Sequence, residues 1–348
     1  RRATAGGVNG SHLKVDNQAR GTWTGQVPLL VEGEIEMVQT IRASIRAMGK
    51  SHRFSGWERQ QEVMFYVLIS PWIIGFLAFT LGPMVASAII SLTEWDLLLL
   101  PKWIGFKNYV TMFTDDPVFW ESLRVTITYT TFSVGLNIVV AFLVAMLLNQ
   151  NVRGQQYYRT IYYLPFVVSG VAVAWMWRIM YNPEFGVVNL LLSYFGIQGP
   201  KWLASTTWAL PALIIMSVWG FGGSMVIFLA GLQGVPSHLY EAAEIDGANA
   251  LAKFSNITLP MMTPTIFFVM TTGIIGAFQT FTQVYVMTQG GPGNATMVYA
   301  LYLYFNAFKF FKMGYAAALA WVLFFVVLIV TILQFKLARS WVYYEVEA

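Results

Sequence analysis

Six stretches of the chain carry apolar residues almost without a break: roughly residues 64–92, 125–148, 161–181, 208–232, 264–287 and 314–337. Each is long enough to cross a bilayer core as a helix, which takes about 20 apolar residues. The segments between them are short and polar, with prolines and glycines that punctuate helices. The pattern predicts an all-α membrane protein of six transmembrane helices, and the even number puts both chain ends on one side. Residues 1–60 are expected to form an N-terminal cytoplasmic tail, largely disordered, and residues 61–348 the transmembrane domain. The first 55 residues are rich in Gly, polar and charged residues and hold no apolar run longer than a few positions, so they are not expected to act as a secretory signal peptide. Glu32-Gly33-Glu34-Ile35-Glu36 can be written in purine-rich codons resembling a ribosome-binding site, which predicts Met37 as the natural start.

Composition agrees with the pattern and removes several classes of function. Of 348 residues 57% are hydrophobic and 11% charged, against roughly 25% charged in a soluble domain. Mean hydropathy is +0.58. With no cysteine and three distant histidines (His12, His52, His238), disulfides, thiolate chemistry and a clustered metal site have no material. The net charge of +4 is scattered, so nucleic-acid binding has no support. Lysine and arginine decide the orientation. Ten flank the spans on the side of the termini, among them Arg59, Arg153, Arg159, Lys253 and Arg339, against six on the other, including Lys102, Lys201 and Lys312. The bias predicts cytoplasmic termini and cytoplasmic loops near 149–160 and 233–260. Tryptophans and tyrosines near span ends, Trp72, Trp120, Trp175, Trp177, Trp202 and Trp208 among them, read mostly as an interfacial anchoring belt.

The spans hold almost no ionisable groups, so a proton relay has no basis; Arg178 lies near a span end, and Glu62 lies outside the first span. Neutral polar residues do occur at depth: Asn137, Ser169, Ser217, Ser224, Thr271, Thr272, Gln279, Thr280 and Gln283. Interhelical hydrogen bonds explain some, and a path for an uncharged, hydroxyl-rich solute explains others. Gly49-Lys50-Ser51 looks like the tail of a P-loop, but position 44 is Ser44 and not glycine, so the chain supplies no ATP hydrolysis of its own. No nucleophile elbow, zinc helix or carboxylate pair appears in a span, and no catalytic residue is assigned. Two classes remain at this point. One is a transport subunit powered by another protein; the alternative is a self-contained channel or ion-coupled carrier for a neutral solute.

Between the fourth and fifth spans runs Pro236-Ser237-His238-Leu239-Tyr240-Glu241-Ala242-Ala243-Glu244-Ile245-Asp246-Gly247-Ala248, then Ile257, Leu259, Pro260 and Pro264. It reads as two short helices around a turn, with Ser237 as the first cap, Gly247 as the stop and Pro260 as the end of the second helix. Glu241, Glu244 and Asp246 offer charge to a basic partner. This segment resembles the EAA loop of binding-protein-dependent ABC importers: Glu241-Ala242-Ala243, Gly247, Ile257 and Leu259-Pro260 stand where that pattern has E-A-A, G and I-x-L-P. Asp246-Gly247-Ala248, Gly290-Gly291-Pro292 and Pro71-Trp72-Ile73-Ile74-Gly75-Phe76 are similar to the sugar-permease branch related to the maltose and glycerol-phosphate transporters.

The resemblance implies a type I ABC importer permease fold in a bacterial or archaeal cytoplasmic membrane. It also implies a second homologous permease, two ATP-binding subunits that carry ATP and Mg, an extracytoplasmic solute-binding protein and a sugar-like substrate. No cofactor is expected in this chain. By the same resemblance residues 236–260 dock in the ATPase, with Glu241 meeting a basic residue and Gly247 setting the angle between the short helices. The region matching the sugar contacts of the family's maltose member holds Trp219, Gly220, Gly223, Gln279, Thr280 and Gln283. Gln279 and Gln283, one turn apart on the fifth span, are expected to make a polar stripe on it that faces the partner permease or the translocation path. Gly220, Gly222, Gly223, Gly273 and Gly276 fit two roles, close helix packing or the path itself.

Overall fold

The computed structural model describes residues 56–150 and 153–343. The expected disorder of the tail and the Met37 start lie outside the described residues. Residues 56–60, counted above with the tail, are helical: α1 (Gly56–Phe76) begins there because Glu58, Arg59, Gln60, Gln61 and Glu62 are good helix formers that prolong the apolar run behind them. Contacts divide the chain between Gly75 and Phe76. In the first unit α1 exposes its apolar residues from Val63 to Leu68 and again at Trp72, Ile73 and Ile74.

The second unit opens with a π-turn at Leu77–Leu81 leading into α2 (Gly82–Ser91). A two-stranded antiparallel ribbon follows, β1 (Thr93–Glu94) and β2 (Lys102–Trp103), with Thr93 opposite Trp103. Then come α3 (Lys107–Thr114), the long α4 (Pro117–Leu148), α5 (Gln155–Val167), α6 (Gly170–Met180) and α7 (Val187–Tyr194). The second half holds α8 (Ala209–Val218), α9 (Gly222–Gln233), α10 (Ser237–Ile245), α11 (Ala250–Lys253), α12 (Leu259–Phe278), α13 (Thr282–Met287), α14 (Tyr299–Tyr304) and α15 (Met313–Ala338).

Among the described residues, four helices without a sharp bend are long and apolar enough to span a membrane: Arg59–Ser91, Pro117–Leu148, Ala250–Phe278 and Met313–Ala338. The third and fourth expected spans are broken. α5 and α6 meet at 95°, and α8 and α9 at 44°, so six spans result only when each bent pair counts as one. In the third, Pro165 removes a ladder bond, and Val168 and Ser169 take extended backbone before Ser169 O accepts the first bond of α6 from Val173 N–H at 3.0 Å. In the fourth, Gly220, Gly222 and Gly223 weaken the ladder where a neighbour presses closest: a Cβ on Gly222 would run into the Tyr162 carbonyl of α5.

The fifth expected span, 264–287, is also revised. The helix starts earlier, at Leu259, and stops at Phe278. Gln279 caps it by turning its amide back onto Ile275 O at 3.2 Å, one of the carbonyls that a helix end leaves without a partner. At the second span Asp116 sets the start, its Oδ1 accepting from Val118 and Phe119 N–H at 3.0 and 3.2 Å ahead of Pro117.

Among the described residues, three apolar clusters hold the second unit together. One packs Tyr129, Trp177, Tyr181, Trp202, Leu213 and Val284, a second packs Phe142, Met225, Phe228 and Met262, and a third packs Met112, Phe119, Tyr299, Ala318 and Leu319. Trp177 and Trp202 are only 8% and 7% exposed, so the belt expectation fails for both: their rings fill the first cluster, where Trp202 Nε1 donates to Asn189 Oδ1 at 2.6 Å. Elsewhere the spans keep wide apolar faces. Only a third of the most apolar stretch of α4 is buried, which leaves the remainder for lipid or for other subunits.

Candidate coupling loop and solute cleft

The loop after α9 folds on local rules. Pro236, in extended backbone, is the N-cap of α10, and Ser237 is the first helical residue with no capping bond, which corrects the expected Ser237 cap. The missing proline N–H is no loss at a helix entry. At the other end Gly247 takes φ +75°, Ala248 N–H reaches Ala243 O at 2.9 Å and Gly247 N–H reaches Glu244 O at 3.0 Å. This paired closure requires a left-handed residue, and glycine adopts it without strain. Nothing lies within 4 Å of a Cβ built on Gly247, so conformation alone selects it.

Past the turn, Asn249 Oδ1 caps α11 by accepting from Ala252 N–H at 2.8 Å. The second short helix does not end at Pro260. α11 passes through a π-turn at Phe254–Thr258 straight into α12, and Leu259 N–H donates to Phe254 O. A proline ring crowds the carbonyl four residues back, and one wide turn moves it aside. The same device precedes Pro83, where Gly82 N–H donates to Leu77 O. The loop is therefore one free helix hinged to the foot of the fifth span.

Glu241, Ala242, Asp246 and Gly247 are exposed, Ala243, Ile257 and Pro260 are half-buried, and Leu259 is 39% exposed. α10 has no buried residue, and beside it Ile245 and Leu251 stand 88% and 74% exposed. Glu244 is not available to a partner in the way Glu241 is. It pairs with Lys253 Nζ at 2.8 Å across the turn, and that hydrogen bond and charge hold its carboxyl below the usual range. Two contacts tie the loop inward: Tyr240 and Thr258 share a hydrogen bond of 2.9 Å, and Phe254 packs on Phe142 of α4 with ring centres 6.3 Å apart.

The candidate path residues separate. Gly220 and Thr280 line a cleft of about 250 Å³ between α4, the α8–α9 bend and α12. The other four lie elsewhere. Trp219 packs edge-on against Trp177 at 5.9 Å, Gly223 sits where a Cβ would be 2.8 Å from the Phe166 ring, Gln279 is spent on its own helix end, and Gln283 lies beside Gly170. The expected Gln279–Gln283 stripe does not form, because the helix stops at Phe278 and α13 starts only at Thr282. Tyr129 and Ser133, which sequence reasoning passed over, line the cleft, as do Asn137, Ser217 and Ser224. The 129/133/137 spacing was the available signal.

Residues 137–343 match the family described as binding-protein-dependent transport system inner membrane component. The probable ABC transporter permease protein YesP of Bacillus subtilis is 47% identical over 291 residues, covering 82% of this chain and 94% of the relative. The chain belongs to that transport family. The lactose transport system permease protein LacF of Rhizobium radiobacter is 36% identical, over 82% of this chain and 97% of the relative. A crystal structure of a bacterial ABC transporter involved in import of the acidic polysaccharide alginate contains a chain with TM-score 0.71 and 25% identity, covering 82% of this permease and 98% of that chain. The fold is thus the type I importer permease fold, multi-pass in an inner membrane. The permease is a transport subunit and not an enzyme; ATP hydrolysis belongs to separate subunits, and a second permease completes the pathway. A self-contained channel or ion-coupled carrier is set aside by the same membership.

Proposed function

We infer that this permease forms half of the translocation pathway for a sugar or related polyhydroxylated solute, delivered from outside by a solute-binding protein. The reading extends to the source and orientation: a bacterial or archaeal cytoplasmic membrane with both termini inside. The observation that carries it is the loop of residues 236–260, a helix stopped by a left-handed glycine, bare of buried contacts on the Glu241–Ala242 face, and joined to the spans through Tyr240 and Phe254. A small-residue helix with one carboxylate suits a groove carrying a basic residue, and its link to the foot of α12 passes movement to the spans. In this reading Glu241, Ala242, Ala243, Asp246 and Gly247 meet the ATPase, which holds ATP and Mg, while Ile257, Leu259 and Pro260 shape the hinge. Gly220 and Thr280 belong to the solute path; Trp219, Gly223, Gln279 and Gln283 support its walls. The sugar class has support in the names of the relatives, lactose among them.

The test is Glu241→Lys in the coexpressed transporter. Losing one partner of a charged contact across such an interface costs about 2–5 kcal/mol. The altered chain is expected to insert normally yet copurify with little ATPase and sustain little uptake. Unchanged uptake with normal ATPase recovery would refute the docking assignment.

A further inference from the structure

The cleft has a wall that the candidate residues leave unassigned. On α4, Tyr129, Ser133 and Asn137 follow at i, i+4 and i+8, so their side chains share one face of an otherwise apolar helix. Tyr129 and Ser133 are 4% and 5% exposed, and all three border the same cleft as Ser217, Ser224 and Thr280. The Tyr129 hydroxyl sits with the side chains of Thr280 and Ser217. Among the described residues, no hydrogen bond within the chain engages the Asn137 amide or the Ser224 hydroxyl. Polar groups this deep in a span cost free energy unless something meets them. On a different side of α4, the exposed apolar residues Phe132, Leu136, Val139, Leu143 and Leu147 form a separate stripe suited to lipid.

We propose that Tyr129, Ser133 and Asn137 form a recognition wall of the solute path, selecting an uncharged, hydroxylated ring. Hydroxyls and amides both donate and accept, which matches sugar hydroxyls, and none of the residues lining the cleft is charged, so an anionic sugar would enter without a counter-ion. The apolar lining from Val134, Ile138 and Phe166 gives the carbon face of such a ring a surface to lie on. This inference rests on the transport reading above.

The chain has no cysteine, so single replacements are unambiguous. Asn137→Cys, with the near-isosteric Ser133→Cys as a second variant, is compared with Leu143→Cys in the assembled transporter. A membrane-impermeant thiosulfonate is applied in the ATP-free and the vanadate-trapped states. A thiol reacts as its thiolate, which apolar surroundings suppress, so either cleft position is expected to label at least about tenfold faster than position 143 in one of the states. Lactose or trehalose in excess should slow that labelling, and sulfoquinovosyl glycerol, an anion, should not. Labelling of both cleft positions no faster than position 143 in either state assigns the stripe to lipid or to the second permease and overturns the proposal. Protection by the anion, or by none of the three, overturns the uncharged-ring assignment. Recovery of ATPase with the wild-type chain tells the two failures apart: if none is recovered, the transport reading fails first.

Discussion

The 236–260 loop and the cleft between α4, the α8–α9 bend and α12 are built on opposite principles. The shape of the loop is set by partners close in the chain: a proline entry, a glycine stop closed by Ala248 and Gly247 N–H groups, an asparagine cap and an ion pair across the turn. The cleft has no such local grammar. Its polar groups come from Tyr129, Ser217 and Thr280, separated by some 150 positions in all, and they converge because three helices pack around a bend that glycines permit. Local order makes a portable part that can be recognised by another protein. Convergence makes a chamber whose lining can change with each substitution on any of three helices.

The comparison breaks most sharply at the glycines. Gly222→Val should have the largest effect, since even a Cβ there meets the Tyr162 carbonyl and comes within 2.8 Å of Tyr163 Cα. Overpacking against backbone that cannot yield costs about 1–3 kcal/mol or more, so the variant should lose most of its folded yield in membranes and melt earlier in detergent. Gly276→Ala is the control. It meets nothing within 4 Å and replaces a helix-interior glycine, so it should be neutral or slightly stabilising. Equal damage from both would show that the bend is not set by the close approach of α5 and α9.

Gly247→Ala should have a middle effect confined to the loop. The left-handed conformation costs a residue with a Cβ roughly 1–2 kcal/mol, while the open surroundings add no clash. Membrane insertion and melting should stay normal, with ATPase recovery and uptake reduced; Gly247→Asn should restore much of both, because asparagine tolerates this conformation. If the alanine variant couples normally, the turn's shape is not what the ATPase reads.

The smallest effect belongs to the ion pair. Lys253 lowers the folded-state pKa of Glu244, so the pair's contribution is present above the unfolded value, 4.5, and fades as pH falls toward and through the folded value. Amide protection across residues 243–248, taken as the exchange rate relative to the unstructured rate at the same pH, should therefore be higher at neutral pH than at about pH 3–4, and Glu244→Gln should remove the difference. Both ends of the pair keep solvent contact, so the protein's melting temperature should hardly move. A pH effect that survives in the glutamine variant would place the titrating group elsewhere.

By itself the sequence determined the membrane class, the six apolar stretches, the short helix that opens the 236–260 loop and the glycine that stops it. These depend on residues near one another in the chain: hydrophobic length, caps and a left-handed turn. The same locality explains its errors. Pro260 read as a helix end because a proline forbids one backbone bond, but a π-turn one step upstream absorbed the clash and let the helix run on. Gln279 and Gln283 read as a stripe because a span was taken to be continuous, whereas the helix ended on Gln279 itself. Only the tertiary structure decided which glycines pack and which face the cleft, and which polar residues meet across it. Those outcomes turn on distances between helices remote in sequence, where a Tyr162 carbonyl or a Phe166 ring, rather than any neighbour along the chain, sets the cost of a side chain.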